Sequence, residues 1–236
     1  MKIDVFLSPL NSPKTLEVAV GIDVLRATST IVTALANGAT AIIPASSLGE
    51  ARKIKRKNPA VLLAGEREGF KLPDFDLGNS PFEFFDVKGK EIVITTSNGT
   101  KLINFLKDSR YLYIASFLNI SAVAMEIQKL EPSELGIGCA GSGGEVGLED
   151  VLCAGALIKF LLSSNPDLEL TDSALIALEL FNRYGGEIEK TMSTIASHGR
   201  KLIMKGFEKD VHFCAKIDLF STVPVYREGK IVRNDL

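Results

Sequence analysis

Residues 16–24, Leu-Glu-Val-Ala-Val-Gly-Ile-Asp-Val, run towards β-branched types, the pattern of a buried strand. Residues 28–36 then show helical apolar spacing and end at Asn37-Gly38, a favourable helix stop. A short strand follows over 41–43. After it, Ser46 or Ser47 caps a helix whose last turn carries Lys53, Lys55, Arg56 and Lys57, cations suited to the negative helix end. With a strand at 61–64, the first third alternates strand, helix, strand, helix, strand. That alternation predicts parallel pairing with right-handed crossovers.

Residues 65–81 contain Gly, Pro, Asp and Asn with little periodicity, which predicts a long functional or mobile loop. The pattern resumes as a strand at 92–95, a helix at 99–106, a strand at 111–115, a helix at 118–130 and a strand at 135–138. Helices over 148–162, 173–184 and 188–204 come next, and a hairpin over 223–232 turns at Glu228-Gly229. The expected fold is α/β: a three-layer α/β/α arrangement with a mostly parallel sheet, C-terminal helices and a terminal hairpin. No stretch between the strands has linker composition, so one domain over 1–236 is expected.

Composition narrows the function classes. Of 236 residues, 46% are apolar and 24% charged, which excludes general disorder. A net charge of −2 lacks the basic footprint of a nucleic-acid binder, yet a small anion needs only a local positive field. Three cysteines (Cys139, Cys153, Cys214) without CxxC spacing read as reduced thiols in a cytoplasmic protein. The opening Met-Lys-Ile-Asp shows no signal-peptide pattern. Residues 27–49 carry no charge, but Asn37, Gly38 and Pro44 interrupt them, so no membrane span is expected.

Ligands of open α/β sheets bind beyond the carboxyl ends of the strands. Four segments at such ends have unusual content: Asp23 to Ser29, Gly65 to Gly69, Thr95 to Thr100 and Cys139 to Glu145. All but the second lead directly into a helix, which aims backbone N–H groups at one region and favours anions. Thr95-Thr96-Ser97-Asn98-Gly99-Thr100 reads either as a phosphate cradle or as a helix-cap cluster. Arg26 and Arg67 hold matching positions where a guanidinium fork can grip phosphate, carboxylate or sulfonate. The strand-end acids are Asp23, Glu66 and Glu68, with Glu145, Glu149 and Asp150 after the last strand. Such oxygen ligands suit Mg²⁺, although Glu149 and Asp150 also fit as first-turn helix acids. Neither His198 nor His212 has zinc-site spacing, and Gly199-Arg200 gives His198 the stronger claim on function. P-loop, dinucleotide, Cys-x5-Arg, DxDx[TV] and GxSxG patterns all fail on residue type or spacing.

As an ordered set, DVLRATST, GERxG followed by FDLGNSP, TTSNGT and GSGGEVGLED resemble the 2-phosphosulfolactate phosphatase family. The match runs from about residue 17 to the C-terminal hairpin. The resemblance implies a Mg²⁺-dependent phosphoric monoester hydrolase that converts 2-phospho-3-sulfolactate to 3-sulfolactate and phosphate, with a fold of its own. In methanogens the family serves coenzyme M biosynthesis. Asp23, Arg26 and Glu66 are then the expected catalytic residues, and Asp23, Glu66, Glu145 and Asp150 the expected metal ligands. The substrate's anions would meet Arg26, Thr28, Ser29, Arg67, Asn79 and Ser80, the Thr96-Ser97-Asn98-Gly99-Thr100 loop, and Gly141-Ser142-Gly143-Gly144. The expected partner is a small anionic phosphate ester, with no nucleic acid or membrane and with a homo-oligomer allowed. The alternative is a small-anion or nucleotide-binding α/β protein without phosphatase activity.

Overall fold

The computed structural model describes residues 1–8 and 15–234. The first half runs β1 (Lys2–Phe6), β2 (Val18–Ile22), α1 (Ala27–Ala36), β3 (Ala41–Pro44), α2 (Leu48–Lys57), β4 (Leu62–Arg67), β5 (Phe70–Lys71), β6 (Glu91–Thr95), α3 (Gly99–Leu106) and β7 (Tyr111–Ala115). The second half runs α4 (Ile120–Leu130), β8 (Glu134–Cys139), α5 (Leu148–Ser164), β9 (Glu169–Leu170), α6 (Asp172–Tyr184), α7 (Ile188–Thr194), α8 (Ser197–Met204), α9 (Glu208–Cys214), β10 (Pro224–Arg227) and β11 (Lys230–Arg233). The strands form one sheet in the order β5-β4-β6-β3-β11-β10-β7-β2-β8-β1-β9.

Alternation along the inner strands shows why helices cover both faces. Val18, Val20 and Ile22 of β2 enter one core with Val123 and Ile127 of α4 and Leu152 and Leu157 of α5. Ala19, between them, enters a second core with Ile31 and Leu35 of α1 and Leu102 and Leu106 of α3. A strand buried on both faces lies between helical layers. Farther along the sheet, Ala51 of α2 packs with Leu63 and Val93. The three-layer α/β/α fold with a mostly parallel, mixed sheet is thus as the periodicity predicts. Among the described residues no helix is long and apolar enough to cross a membrane.

Three local expectations need correction, and a fourth needs a position. The early strands do not pair with one another: β3 and β4 both flank β6, and β2 pairs with β7 and β8. The terminal hairpin forms as expected, over β10 and β11, but the pattern did not give its place. It sits mid-sheet, with β10 antiparallel to β7 and β11 antiparallel to β3, and splits the sheet into two blocks that are parallel within themselves except for the edge strand β5, antiparallel to β4. Residues 65–81 are not all loop, because β4 continues through Arg67 and returns as β5. Residues 188–204 form two helices, broken at Ile195–Ala196. The break lets α8 abut α7 so closely that a Cβ on Gly199 would lie 1.9 Å from the Met192 carbonyl oxygen. The pattern also gave no warning of β1. Its Ile3 and Val5 are buried between β8 and β9, while Asp4 accepts hydrogen bonds from Thr171 and Ser173.

Candidate active site

The loops after β2, β6 and β8, the end of β4 and one face of α8 line a cavity of about 330 Å³. Asp23 enters it directly after β2. Its Oδ1 accepts the Ala27 N–H at 3.2 Å, which caps α1 and leaves Oδ2 for a ligand. The first turn of α3 lies alongside. A Cβ on Gly99 would stand 2.5 Å from the Ala27 Cβ and 2.8 Å from Asp23 Oδ2, so only glycine admits this approach. Burial pushes the Asp23 carboxyl up to about 6, against the pull of His198 and the Ala27 N–H, and Glu66 and Glu149 push the same way.

Two further carboxylates brace the loops. Glu66 lines the cavity while Oε1 accepts the Ser97 N–H at 2.9 Å and Oε2 the Gly69 N–H at 2.7 Å. Asp150 accepts the Val24 N–H at 2.8 Å and the Gly141 N–H at 2.9 Å, tying the segment after β2 to the one after β8. Burial, then Glu149 and Asp23, hold its pKa well above the usual carboxylate range. Asp150 lies outside the cavity lining, as does Glu145, exposed on the Gly-rich turn.

The two arginines part company. Arg26 is buried against the cavity, with Nη1 2.5 Å from Asp210 Oδ2 and Nη2 donating to the Gly69 carbonyl at 2.6 Å. Its guanidinium lies 4.2 Å from the Phe207 ring centroid. Arg67 is outside the lining and donates to the Glu66 carbonyl at 2.6 Å and to Thr95 Oγ1 at 3.5 Å. Successive side chains of a strand point to opposite faces, so an inward Glu66 turns Arg67 away.

Several expected hydroxyls are spent on the backbone instead. Thr28 Oγ1 accepts the Asp23 N–H, Ser29 Oγ donates to the Val24 carbonyl, and neither lines the cavity. Thr96, Ser97 and Asn98 do line it. Gly99 and Thr100 do not, and Thr100 Oγ1 donates to the Thr96 carbonyl. Asn79 reaches the cavity with a buried Oδ1 that has no hydrogen-bond partner among the described residues. Ser80 donates instead to Asp210 Oδ1 at 2.7 Å. On the Gly-rich turn, Ser142 and Gly143 line the cavity, whereas Gly141 and Gly144 stand behind it.

Sequence reasoning singled out His198 but missed the rest of the α8 face and its place at the strand ends. His198, Lys201, Leu202 and Lys205 all line the cavity, and their spacing of i, i+3, i+4 and i+7 marks one helix face. That spacing was the available signal. His198 Nδ1 lies 3.1 Å from Glu149 Oε1, and the second oxygen of Glu149 is buried with no partner among the described residues. Lys101 enters from α3, one turn after Asn98. Cys139 is buried, and burial raises its thiol pKa well above the ordinary value, so its position before the Gly-rich turn gives it no thiolate character.

Among the described residues no group of three or more His, Cys, Asp or Glu is gathered to hold a metal ion. Asp23 and Glu66 nevertheless offer carboxylate oxygens to one cavity, and the partnerless Asn79 Oδ1 is a third oxygen donor there. An all-oxygen set of this size fits Mg²⁺, which binds through one or two carboxylates and fills its shell with water and phosphate oxygens.

A strand-end cavity with buried acids, several cations and a Glu-paired histidine defines an α/β protein with a site for a small, highly charged ligand. Comparison with known proteins narrows that class. The model of the 2-phosphosulpholactate phosphatase family matches residues 7–229, and the chain belongs to that family. It is 45% identical over 235 residues to a probable 2-phosphosulfolactate phosphatase of Thermotoga petrophila, covering 98% of this chain and 97% of that one. Proteins of the same name from Pseudothermotoga lettingae (43% over 216 residues, 92% of each chain) and Clostridium acetobutylicum (37% over 238 residues, 98% and 100%) are also similar.

Proposed function

We propose that this protein is a phosphoric monoester hydrolase that converts 2-phospho-3-sulfolactate and water to 3-sulfolactate and inorganic phosphate. The observation that carries this reading is the family match over residues 7–229, a span that contains every residue lining the cavity. In the reaction the phosphorus–oxygen bond to the substrate's C2 oxygen breaks and a water oxygen takes its place on phosphorus. Such hydrolysis is among the slowest uncatalysed reactions, so aligned charge and proton donors are required. Asp23 and Glu66 would hold Mg²⁺, and the ion when bound supplies the positive charge that offsets the phosphoryl oxygens.

The chain's own groups do the remainder. Glu149 Oε1 lies 3.1 Å from His198 Nδ1 and would hold an Nδ1–H there, so that the doubly protonated ring gives its Nε2 proton to the departing alkoxide oxygen and regains one from the attacking water. Arg26, locked by Asp210, adds a fixed positive charge beside the acids. Ser97 and Asn98 present short polar groups to phosphoryl oxygens at the start of α3. Three free, buried cysteines support a reducing, cytoplasmic setting.

The test is phosphate release from 2-phospho-3-sulfolactate and a panel of other small phosphate esters, with Mg²⁺ or with excess EDTA. The expected result is turnover that favours phosphosulfolactate and stops in EDTA. Full turnover in EDTA contradicts the metal assignment, and indifference to the ester contradicts the substrate.

A further inference from the structure

Four cations line the cavity: Arg26, Lys101, Lys201 and Lys205. Two are already engaged. Arg26 is tied to Asp210 and the Gly69 carbonyl. Lys205 donates to the Glu68 carbonyl at 2.6 Å and lies 5.8 Å from the Phe70 ring centroid. Lys101 and Lys201 make no ion pair among the described residues, although both are exposed and free to find one. They come from different helices, α3 and α8, and face one small space. An anion entering that space is attracted by both.

From this we infer that Lys101 and Lys201 bind the sulfonate of the substrate and set its specificity, an inference that rests on the proposed function. The buried acids Asp23 and Glu66 repel any anion without a metal, so the phosphoryl group goes to the metal they would hold, and the two anions that stay on the product, carboxylate and sulfonate, are left to the cations. The chemistry of the cations agrees. An ammonium carries three rotatable donors and suits a tetrahedral XO3 group, phosphate or sulfonate alike, and with the phosphoryl group taken by the metal end the sulfonate is the one left for the lysines. Arg26, the one arginine in the lining, already spends Nη1 on Asp210 and Nη2 on the Gly69 carbonyl, and two ammonium groups without an ion pair among the described residues remain.

The experiment compares wild-type protein with Lys101→Met, Lys201→Met and Lys201→Arg, each loaded with Mg²⁺. For each, kcat/KM is measured on 2-phospho-3-sulfolactate and on 2-phospholactate, which keeps the phosphate and carboxylate but has no sulfonate. In wild type the ratio of the two should favour phosphosulfolactate. Each Met variant should lower that ratio about 10-fold or more, through KM more than kcat, as expected for losing a charge-assisted contact. Lys201→Arg should recover part of it. Both lysines are exposed, and matching thermal unfolding curves confirm that the variants fold. An active wild type whose ratio is unchanged in both Met variants overturns this inference alone. A wild type inert on phosphosulfolactate overturns the proposed function with it.

Discussion

The carboxyl group of Asp23 caps α1 through Oδ1 while burial raises its pKa to about 6. Its value in the unfolded chain is near 3.8, lower than in the fold. The stability linked to its protonation is therefore full below about pH 4 and is lost as pH rises through 6. Asn keeps the cap and carries no charge. Asp23→Asn measured in EDTA should unfold later than wild type at pH 8, by about 1–3 kcal/mol, and the gap should close below pH 4. The same variant should lose on the order of 100-fold or more in kcat/KM with Mg²⁺ present. Wild-type kcat/KM in that variant would reduce Asp23 to a helix cap. Glu149→Gln should lower kcat by about 10- to 100-fold with KM little changed, because the imidazole loses its charged acceptor. A Glu149→Gln variant with unaltered kcat would remove the dyad from proton transfer.

At the scale of elements, the site depends on braces that cross between loops. Asp150→Ala strands the buried N–H groups of Val24 and Gly141, which should cost about 1–3 kcal/mol apiece in urea unfolding. A loss below 0.5 kcal/mol would show that other groups hold these loops. The strand-end loops were legible because each follows an apolar strand, and that rule alone brought Asp23, Glu66, Thr96, Ser97, Asn98, Ser142 and Gly143 to one cavity. The rule could not separate Glu66 from Arg67, since the sequence pattern ended β4 at Ala64 and hid the alternation that parts them. Nor could it find His198, Lys201 and Lys205. Their helix begins after a break at Ile195–Ala196, and only tertiary packing of Gly199 on Met192 places its face over the strand ends.

For the whole molecule, the hairpin of β10 and β11 was recognisable from its Glu228-Gly229 turn, but its place was not, because its partners β7 and β3 lie more than a hundred residues away. Removing residues 224–233 exposes the edges of β7 and β3 in mid-sheet, so the shortened chain should lose cooperative thermal unfolding and precipitate. A soluble, cooperatively melting product would mean that the two parallel blocks hold together without it. The central claim is that the cavity around Asp23 hydrolyses phosphosulfolactate. Phosphorus NMR of 2-phospho-3-sulfolactate with Mg²⁺, run side by side with wild-type protein and Asp23→Asn, tests that claim most directly. The prediction is conversion of the ester signal to inorganic phosphate by wild type and almost none by the variant. An ester signal that persists with wild type, or equal conversion by both proteins, would contradict it.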